Sequence, residues 1–275
     1  MKKPTRLSRF LVWRRQHITD KQLIMILSVV VGLTSGFAAV LIKNAVHFIK
    51  TIATSGFVQQ YQNYLYVALP AIGILASVIF MHFVLKQRVG HGIPLTLEAI
   101  SKRGGKVKSH NMYSSVITSA LTVGFGGSVG LEGPTVATGA AWGSNIGQFF
   151  KLNYRQVLLL LACASAGAMS SIFKAPIAGI VFVLEVLMID LTMSSLIPLL
   201  LASLTGALVS YLFLGMDVLY PAEIRHEFLI SEVPYYIILG VFTGFVSLYF
   251  TRMYKRVERG FDRFKNRYTK WIIGS

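Results

Sequence analysis

Glu132 is the residue whose type and surroundings point most directly to chemistry. It lies in residues 126–134, Gly-Gly-Ser-Val-Gly-Leu-Glu-Gly-Pro, and it is the only charged residue in the range 111–150. An ionisable side chain at membrane depth is costly and usually marks an ion or proton path. We therefore predict a gating or proton-carrying carboxylate. The alternative is a structural glutamate paired with an arginine, although no basic residue lies near it in the sequence.

Two other segments also interrupt the backbone before a helix. Residues 90–94, Gly-His-Gly-Ile-Pro, precede a short amphipathic helix predicted over 93–102, and residues 173–179, Phe-Lys-Ala-Pro-Ile-Ala-Gly, contain the start of another at Pro176. Proline suits the first turn of a helix because its missing N–H has no partner there anyway. A helix N-terminus carries about half a positive charge and free N–H donors. Broken helices that meet near the midplane are typical of transporters and channels. The three breaks therefore predict an anion site near the midplane.

The candidate anion-binding residues come from the first two of these segments. Their backbone N–H groups would hold the anion, and the His91 ring either adds an N–H or only packs within its loop. Glu185 follows the third segment, where it lines an intracellular rim or only sits beside tightly packed helices. The candidate anion-binding residues are Gly90, His91, Gly92, Ile93, Pro94, Gly130, Leu131, Gly133 and Pro134.

The elements that must position these residues are membrane-spanning helices. The chain has 275 residues, of which 54% are hydrophobic and 14% charged, and its mean hydropathy is +0.60. About twenty apolar residues make one helical crossing. Five runs without Asp, Glu, Lys or Arg are about that long, and they predict an all-α polytopic membrane protein with Gly- and Pro-broken helices. These runs cover residues 22–42, 60–85, 156–173, 191–216 and 233–251.

The basic residues predict how the chain is oriented. The net charge of +16 comes from Lys and Arg clusters in residues 2–15, 86–88, 102–108 and 252–270. Such clusters beside apolar helices mark cytoplasmic sides and contact anionic lipid. We predict a basic cytoplasmic or interfacial segment over 1–20, a transmembrane domain over 21–264 and a basic tail over 265–275, in the plasma membrane with both ends cytoplasmic. A nucleic-acid partner is disfavoured because no soluble domain carries the charge.

The sequence gives little support for catalytic activity or cofactor binding. The single cysteine, Cys163, excludes an intrachain disulfide and is expected to be a small buried hydrophobic residue. The histidines have no metal-ligand spacing, and there is no nucleophile–base pair, P-loop or dinucleotide fingerprint. We therefore expect no enzyme activity, no metal and no cofactor.

The three segments, in this order, resemble motifs of the CLC family of chloride channels and proton-coupled chloride antiporters. Members of that family carry Gly-Ser-Gly-Ile-Pro, Gly-Arg-Glu-Gly-Pro and a later helix led by Phe-Asn-Ala-Pro. Here these stand at residues 90–94, 130–134 and 173–176. The resemblance implies a CLC-type fold of two inverted repeats with tilted, broken helices. It also implies a homodimer with one chloride pathway per subunit, and Glu132 as the extracellular gate.

The chain departs from the family pattern at three residues and in length. His91 replaces the serine that coordinates the central anion, and Leu131 replaces the arginine beside the gate. Val186, next to Glu185, stands where antiporters carry an internal proton-transfer glutamate, and it resembles the channel branch and the fluoride/proton antiporter branch. The chain is expected to hold the first repeat and only the first helix of the second, as a truncated sequence or a half-protein.

These observations leave three functions open. The leading one is an anion channel that passes chloride with Glu132 as its gate. The second is a proton-coupled antiporter for chloride or fluoride, with Glu132 as the proton carrier. The third is a non-conducting half-protein that needs its second repeat.

Overall fold

A computed structural model describes Arg14 and residues 16–54, 65–86, 92–187, 193–216 and 229–262 of the chain. The chain divides into two compact units, residues 1–219 and residues 220–275. Each unit is described below by itself. The predicted segment 1–20 lies largely outside the described residues, and the predicted tail 265–275 lies wholly outside them, as do Gly90 and His91.

The described part of the first unit contains eight α-helices in the predicted order. Their starts lie close to those expected from the apolar runs and the Gly and Pro breaks, whereas α1 continues to Thr54, twelve residues beyond the uncharged run that ends at residue 42. The second helix continues as a π-helical turn, Phe80–Leu85, and contains Pro70. The helices are α1 (Asp20–Thr54), α2 (Leu65–Ile79), α3 (Gly92–Lys102), α4 (Asn111–Gly124), α5 (Glu132–Phe149), α6 (Tyr154–Phe173), α7 (Pro176–Val186) and α8 (Met193–Leu214).

The described part of the second unit, residues 229–262, is one long helix preceded by a short turn. A 3₁₀ turn, Ile230–Glu232, leads into α9 (Val233–Asp262). The helix begins at the predicted residue, Val233, and Arg259 lies in its last turn. A cation at a helix C-terminus is favourable because the last carbonyl groups carry partial negative charge.

Five described helical segments are long and apolar enough to cross a membrane, and each coincides with one of the five uncharged runs. They show that the chain is a multi-pass membrane protein, as predicted. The segments are Asp20–Thr54, Ala68–Leu85, Tyr154–Phe173, Ser194–Leu214 and Ile230–Phe261.

The core of the first unit is the crossing of α1, α6 and α8, where glycines bring the three backbones together. A Cβ atom added at Gly167 would lie 3.2 Å from the Gly32 Cα and 2.9 Å from the Ala202 carbonyl oxygen. One added at Gly206 would lie 2.9 Å from the Gly167 Cα. Small residues at such crossings maximise van der Waals contact where lipid supplies no hydrophobic driving force between helices. Cys163 is fully buried on α6, as predicted.

Helix α6 has a well-defined start and end, and both matter for the site. Asn153 accepts a hydrogen bond from the Gln156 backbone N–H at 2.9 Å, and the Gln156 side chain accepts one from the Asn153 N–H at 3.2 Å. This capping box fixes the first turn. At the other end Lys174 adopts a left-handed conformation, with φ of 55°. The chain turns there toward Pro176, and the Ser170 carbonyl accepts hydrogen bonds from the backbone N–H groups of Lys174 and of Ala175, the latter at 3.3 Å.

Candidate functional site

The break between α4 and α5 is a tight glycine-containing loop. Gly126 has φ of +93°, a region that L-amino acids with a side chain rarely occupy. The Gly127 N–H donates to the Thr122 carbonyl at 2.9 Å, which folds the chain back at the end of α4. The sequence thus ends one helix and begins the next within seven residues, 125–131.

Helix α5 begins at Glu132, and Pro134 lies in its first turn as predicted. The residue before the helix, Leu131, has no side-chain oxygen with which to cap it. Its carbonyl instead accepts hydrogen bonds from the backbone N–H of Thr135 at 3.1 Å and from the Thr135 hydroxyl at 2.7 Å. The backbone N–H groups of Glu132 and Gly133 have no acceptor within the helix. These two donors are therefore available to an anion.

The Glu132 carboxylate folds back toward the loop. A Cβ atom at Gly130 would collide with Glu132 Oε2, so glycine is required there for this carboxylate position. The Glu132 side chain is only partly exposed. Among the residues that the structure describes, no Lys, Arg or His nitrogen lies within 4.0 Å of its carboxylate. Glu132 therefore lies at the positive end of a helix without a direct ion pair to any of these residues.

The structure brings the first and second motifs together through two glycines. Gly92 begins α3 with φ of +29°, and a Cβ atom there would lie 3.1 Å from both the Cα and the carbonyl carbon of Gly133. The N-terminal turns of α3 and α5 therefore meet. Ile93 is half-buried and Pro94 is exposed. The expected anion-binding roles of these residues stay predictions.

This contact predicts unequal effects for two matched substitutions. Gly92→Ala would place a methyl group against the Gly133 backbone at an unfavourable φ, and we expect it to lower the free energy of unfolding by about 1–3 kcal/mol. Gly133→Ala places a methyl group 3.8 Å from the Gly92 Cα, which is ordinary contact, so we expect a smaller loss. Thermal unfolding in detergent measures both. Equal losses would contradict the close approach at Gly92.

Glu132 lines a cavity of about 220 Å³. Four helices and the loop before α5 contribute to its wall, and one cation is among the lining residues. This is Lys43 on α1, whose ammonium donates to the Ile172 carbonyl at the end of α6 at 3.3 Å. The lining residues are Ala39, Ile42, Lys43, Val123, Val129, Gly130, Leu131, Glu132, Thr135 and Ile172.

The third motif lies elsewhere in the first unit. Helix α7 packs on α6 and α8, and none of its residues lines the Glu132 cavity. Glu185 is exposed and Val186 is half-buried, both in the last turn of α7. That turn is about 15 Å along the helix from Pro176, given 1.5 Å per residue. Of the described residues in the three predicted breaks, only those of the second break line this cavity, namely Val129, Gly130, Leu131 and Glu132.

Sequence reasoning missed Lys43 as a neighbour of Glu132 because the two residues are far apart in the chain. A usable signal was present nonetheless. Lys43 is the only charged residue in the range 22–49. A lone charge in an otherwise uncharged helix is a candidate functional residue on the same grounds as Glu132.

Fold and site together define a class of protein: a helical, multi-pass membrane protein with a carboxylate at a broken-helix junction. A family model described as voltage gated chloride channel matches residues 72–275. The chain belongs to this family, and the predicted resemblance is confirmed.

Relatives and solved structures agree with this assignment. The H(+)/Cl(-) exchange transporter ClcA of Vibrio cholerae is 25% identical over 250 residues, which cover 88% of this chain and 53% of that relative. A slow cyanobacterial Cl−/H+ antiporter has a TM-score of 0.77 at 21% identity, over 90% of this chain and 60% of that one. A CLC-type fluoride/proton antiporter has a TM-score of 0.74 at 24% identity, over 92% and 63%. These likenesses confirm the CLC-type fold. The chain spans about half the length of ClcA.

Proposed function

We propose that this chain provides the anion site and gate of a chloride channel, with Glu132 as the gate. The observation that carries the proposal is the position of the Glu132 carboxylate. It lies in the first turn of α5, folded over Gly130, in a cavity beside the junction of Gly92 and Gly133.

The gating argument follows from the charge of the cargo. A helix N-terminus attracts anions through its free N–H groups and dipole. A carboxylate is itself an anion, so Glu132 competes with chloride for the same donors. Protonation neutralises the Glu132 carboxylate, so that it no longer competes with chloride for these N–H donors. Chloride can then bind there. Glu132 therefore makes anion passage depend on protons.

Val186 argues against ordinary chloride/proton exchange, but the family resemblance assigns this valine both to the channel branch and to the fluoride/proton antiporter branch. A valine cannot carry a proton, so an exchange cycle would lack the internal carrier that the family resemblance implies at that position. A second candidate function is proton-coupled exchange of chloride or fluoride. It is favoured by the similarity to ClcA, which is named as an exchange transporter, and by Glu185 immediately beside Val186.

Chloride efflux from liposomes containing the 275-residue chain, with the external pH recorded, tests the proposal. We expect efflux without proton movement. Proton movement that opposes the anion gradient would overturn the channel assignment in favour of the antiporter. No efflux, with insertion verified, would contradict conduction by this chain alone and favour the half-protein alternative.

The setting of this function is also proposed. We infer a homodimer in the plasma membrane, with the basic ends on the cytoplasmic side as the positive-inside rule requires. Chloride is the transported ion, and neither a cofactor nor a metal is needed because the backbone and one carboxylate supply the site. We propose no enzyme activity and no nucleic-acid partner, because the basic residues flank membrane helices.

A further inference from the structure

Lys43 on α1 and Glu132 on α5 line the same cavity. The Lys43 ammonium donates a hydrogen bond at 3.3 Å to the carbonyl of Ile172, a residue in the last turn of α6. Carbonyl groups at a helix C-terminus carry partial negative charge and hold a cation well. Lys43 is half-buried, so this contact keeps its charge at the cavity wall and away from bulk solvent.

The depth of Lys43 fits a position at the mouth of the pathway. Helix α1 begins at Asp20, and Lys43 lies 23 residues after it on the same helix. This is about 35 Å along the helix axis at 1.5 Å per residue. The hydrocarbon core is about 30 Å thick. If the basic N-terminal side is cytoplasmic and α1 enters the membrane near Asp20, this length places Lys43 near the outer boundary of the membrane, beside the proposed extracellular gate.

The charges around Glu132 are few. Helix α5 packs on α1, α3, α4 and α6. Helix α4 carries no charged residue. On α3, Glu98 forms an ion pair at 2.9 Å with Arg103, which directly follows the C-terminal end of that helix, whereas Gly92 is at its start. The end of α6 brings a second lysine, Lys174.

Lys174 has a different position from Lys43. It is buried, its ammonium donates to the Gly215 carbonyl at 2.6 Å, and it lies 5.3 Å from the centre of the Tyr211 ring. These contacts connect the C-terminal end of α6 with the C-terminal end of α8. Lys174 does not line the Glu132 cavity, whereas Lys43 does.

We propose that Lys43 supplies the positive charge of the Glu132 gate, a charge that the neighbouring Leu131 does not provide. The proposal rests on the proposed gating role of Glu132 and assigns a second residue to that site. Lys43 attracts anions to the cavity that Glu132 also lines. Low-dielectric walls strengthen such interactions, because a cleft focuses the field of a single charge.

The test is chloride binding by the full chain in lipid nanodiscs, measured by isothermal titration calorimetry. We expect Lys43→Met to weaken chloride binding about five-fold, because it removes a positive charge from the cavity wall. Lys43→Arg should keep the affinity because it keeps the charge, and Lys43→Met combined with Leu131→Arg should restore it.

Lys50→Met is the matched control, since Lys50 is exposed on the same helix and does not line the cavity. Unchanged chloride affinity in Lys43→Met, or an equal loss of affinity in Lys50→Met, would overturn the proposal. Lys43→Gln replaces Lys43→Met if the latter does not fold. The binding measurement needs no transport. Weaker chloride binding in Lys43→Met, with no chloride efflux from the unmodified chain, would therefore support Lys43 and contradict the proposed function, whereas efflux with unchanged binding would do the reverse.

Discussion

Glu132→Gln is expected to make chloride efflux independent of pH. Glutamine is neutral at all pH values and close in size, so it removes the charge that competes with chloride but keeps the shape of the first turn of α5. An anionic side chain at a helix N-terminus is stabilised by about 1 kcal/mol. Loss of that competition should raise efflux at neutral pH roughly five-fold. Efflux from liposomes across a series of pH values measures both effects.

Glu98→Gln is the matched control for this substitution. Glu98 is a partly exposed carboxylate in an ion pair with Arg103, and such pairs contribute little to stability. We expect its efflux and pH response to match those of the unmodified chain. If Glu132→Gln behaved in the same way in an active preparation, Glu132 would not be the gate. If Glu132→Gln abolished proton movement that the unmodified chain shows, the antiporter would replace the channel.

The helices were predictable because their signals are local. The uncharged runs gave the five spans, and Pro134 and Pro176 marked helix starts, because hydrophobicity and backbone restriction act within a few residues. The predicted start at residue 156 for α6 missed the true start at Tyr154 by two residues, because the polar cap formed by Asn153 and Gln156 was not used. That cap is also a local signal.

The site was predictable only in part, because its geometry depends on long-range packing. The glycine motifs indicated that the backbone breaks at Gly92 and Gly133. They could not indicate that these two glycines meet, since that contact depends on how α3 and α5 cross. The expectation of one anion site for all three breaks stays a prediction. Helix α7 is held by α6 and α8, away from the Glu132 cavity.

Lys43 shows the same limit for charge. In the sequence, Leu131 stands where the family resemblance implies an arginine beside the proposed gate, and no basic residue lies near Glu132. In the fold, α1 and the end of α6 hold Lys43 at the cavity wall. Charge balance at a membrane site is a property of the packed helices, so a motif alone cannot show whether a missing charge has been replaced.

The packing that holds Lys43 in place predicts the largest effect on stability. Gly206→Val would insert three carbon atoms where α8 crosses α6, and a Cβ atom there already lies 2.9 Å from the Gly167 Cα. The obstacle is backbone, which cannot rotate away as a side chain would. Overpacking of a close-packed core costs typically about 1–3 kcal/mol. We expect about 3 kcal/mol or more here, because α1 approaches the same point through Gly32.

Unfolding in mixed micelles of increasing SDS content measures this loss. The matched control is Leu208→Phe, which adds volume to the same helix two residues later, where the side chain is 57% exposed. We expect it to change the free energy of unfolding by less than about 0.5 kcal/mol. Comparable losses for the two variants would mean that α8 does not contact α6 closely. A graded series, with Gly206→Ala intermediate, would locate the loss in the helix crossing, because each added carbon atom must displace the Gly167 backbone further.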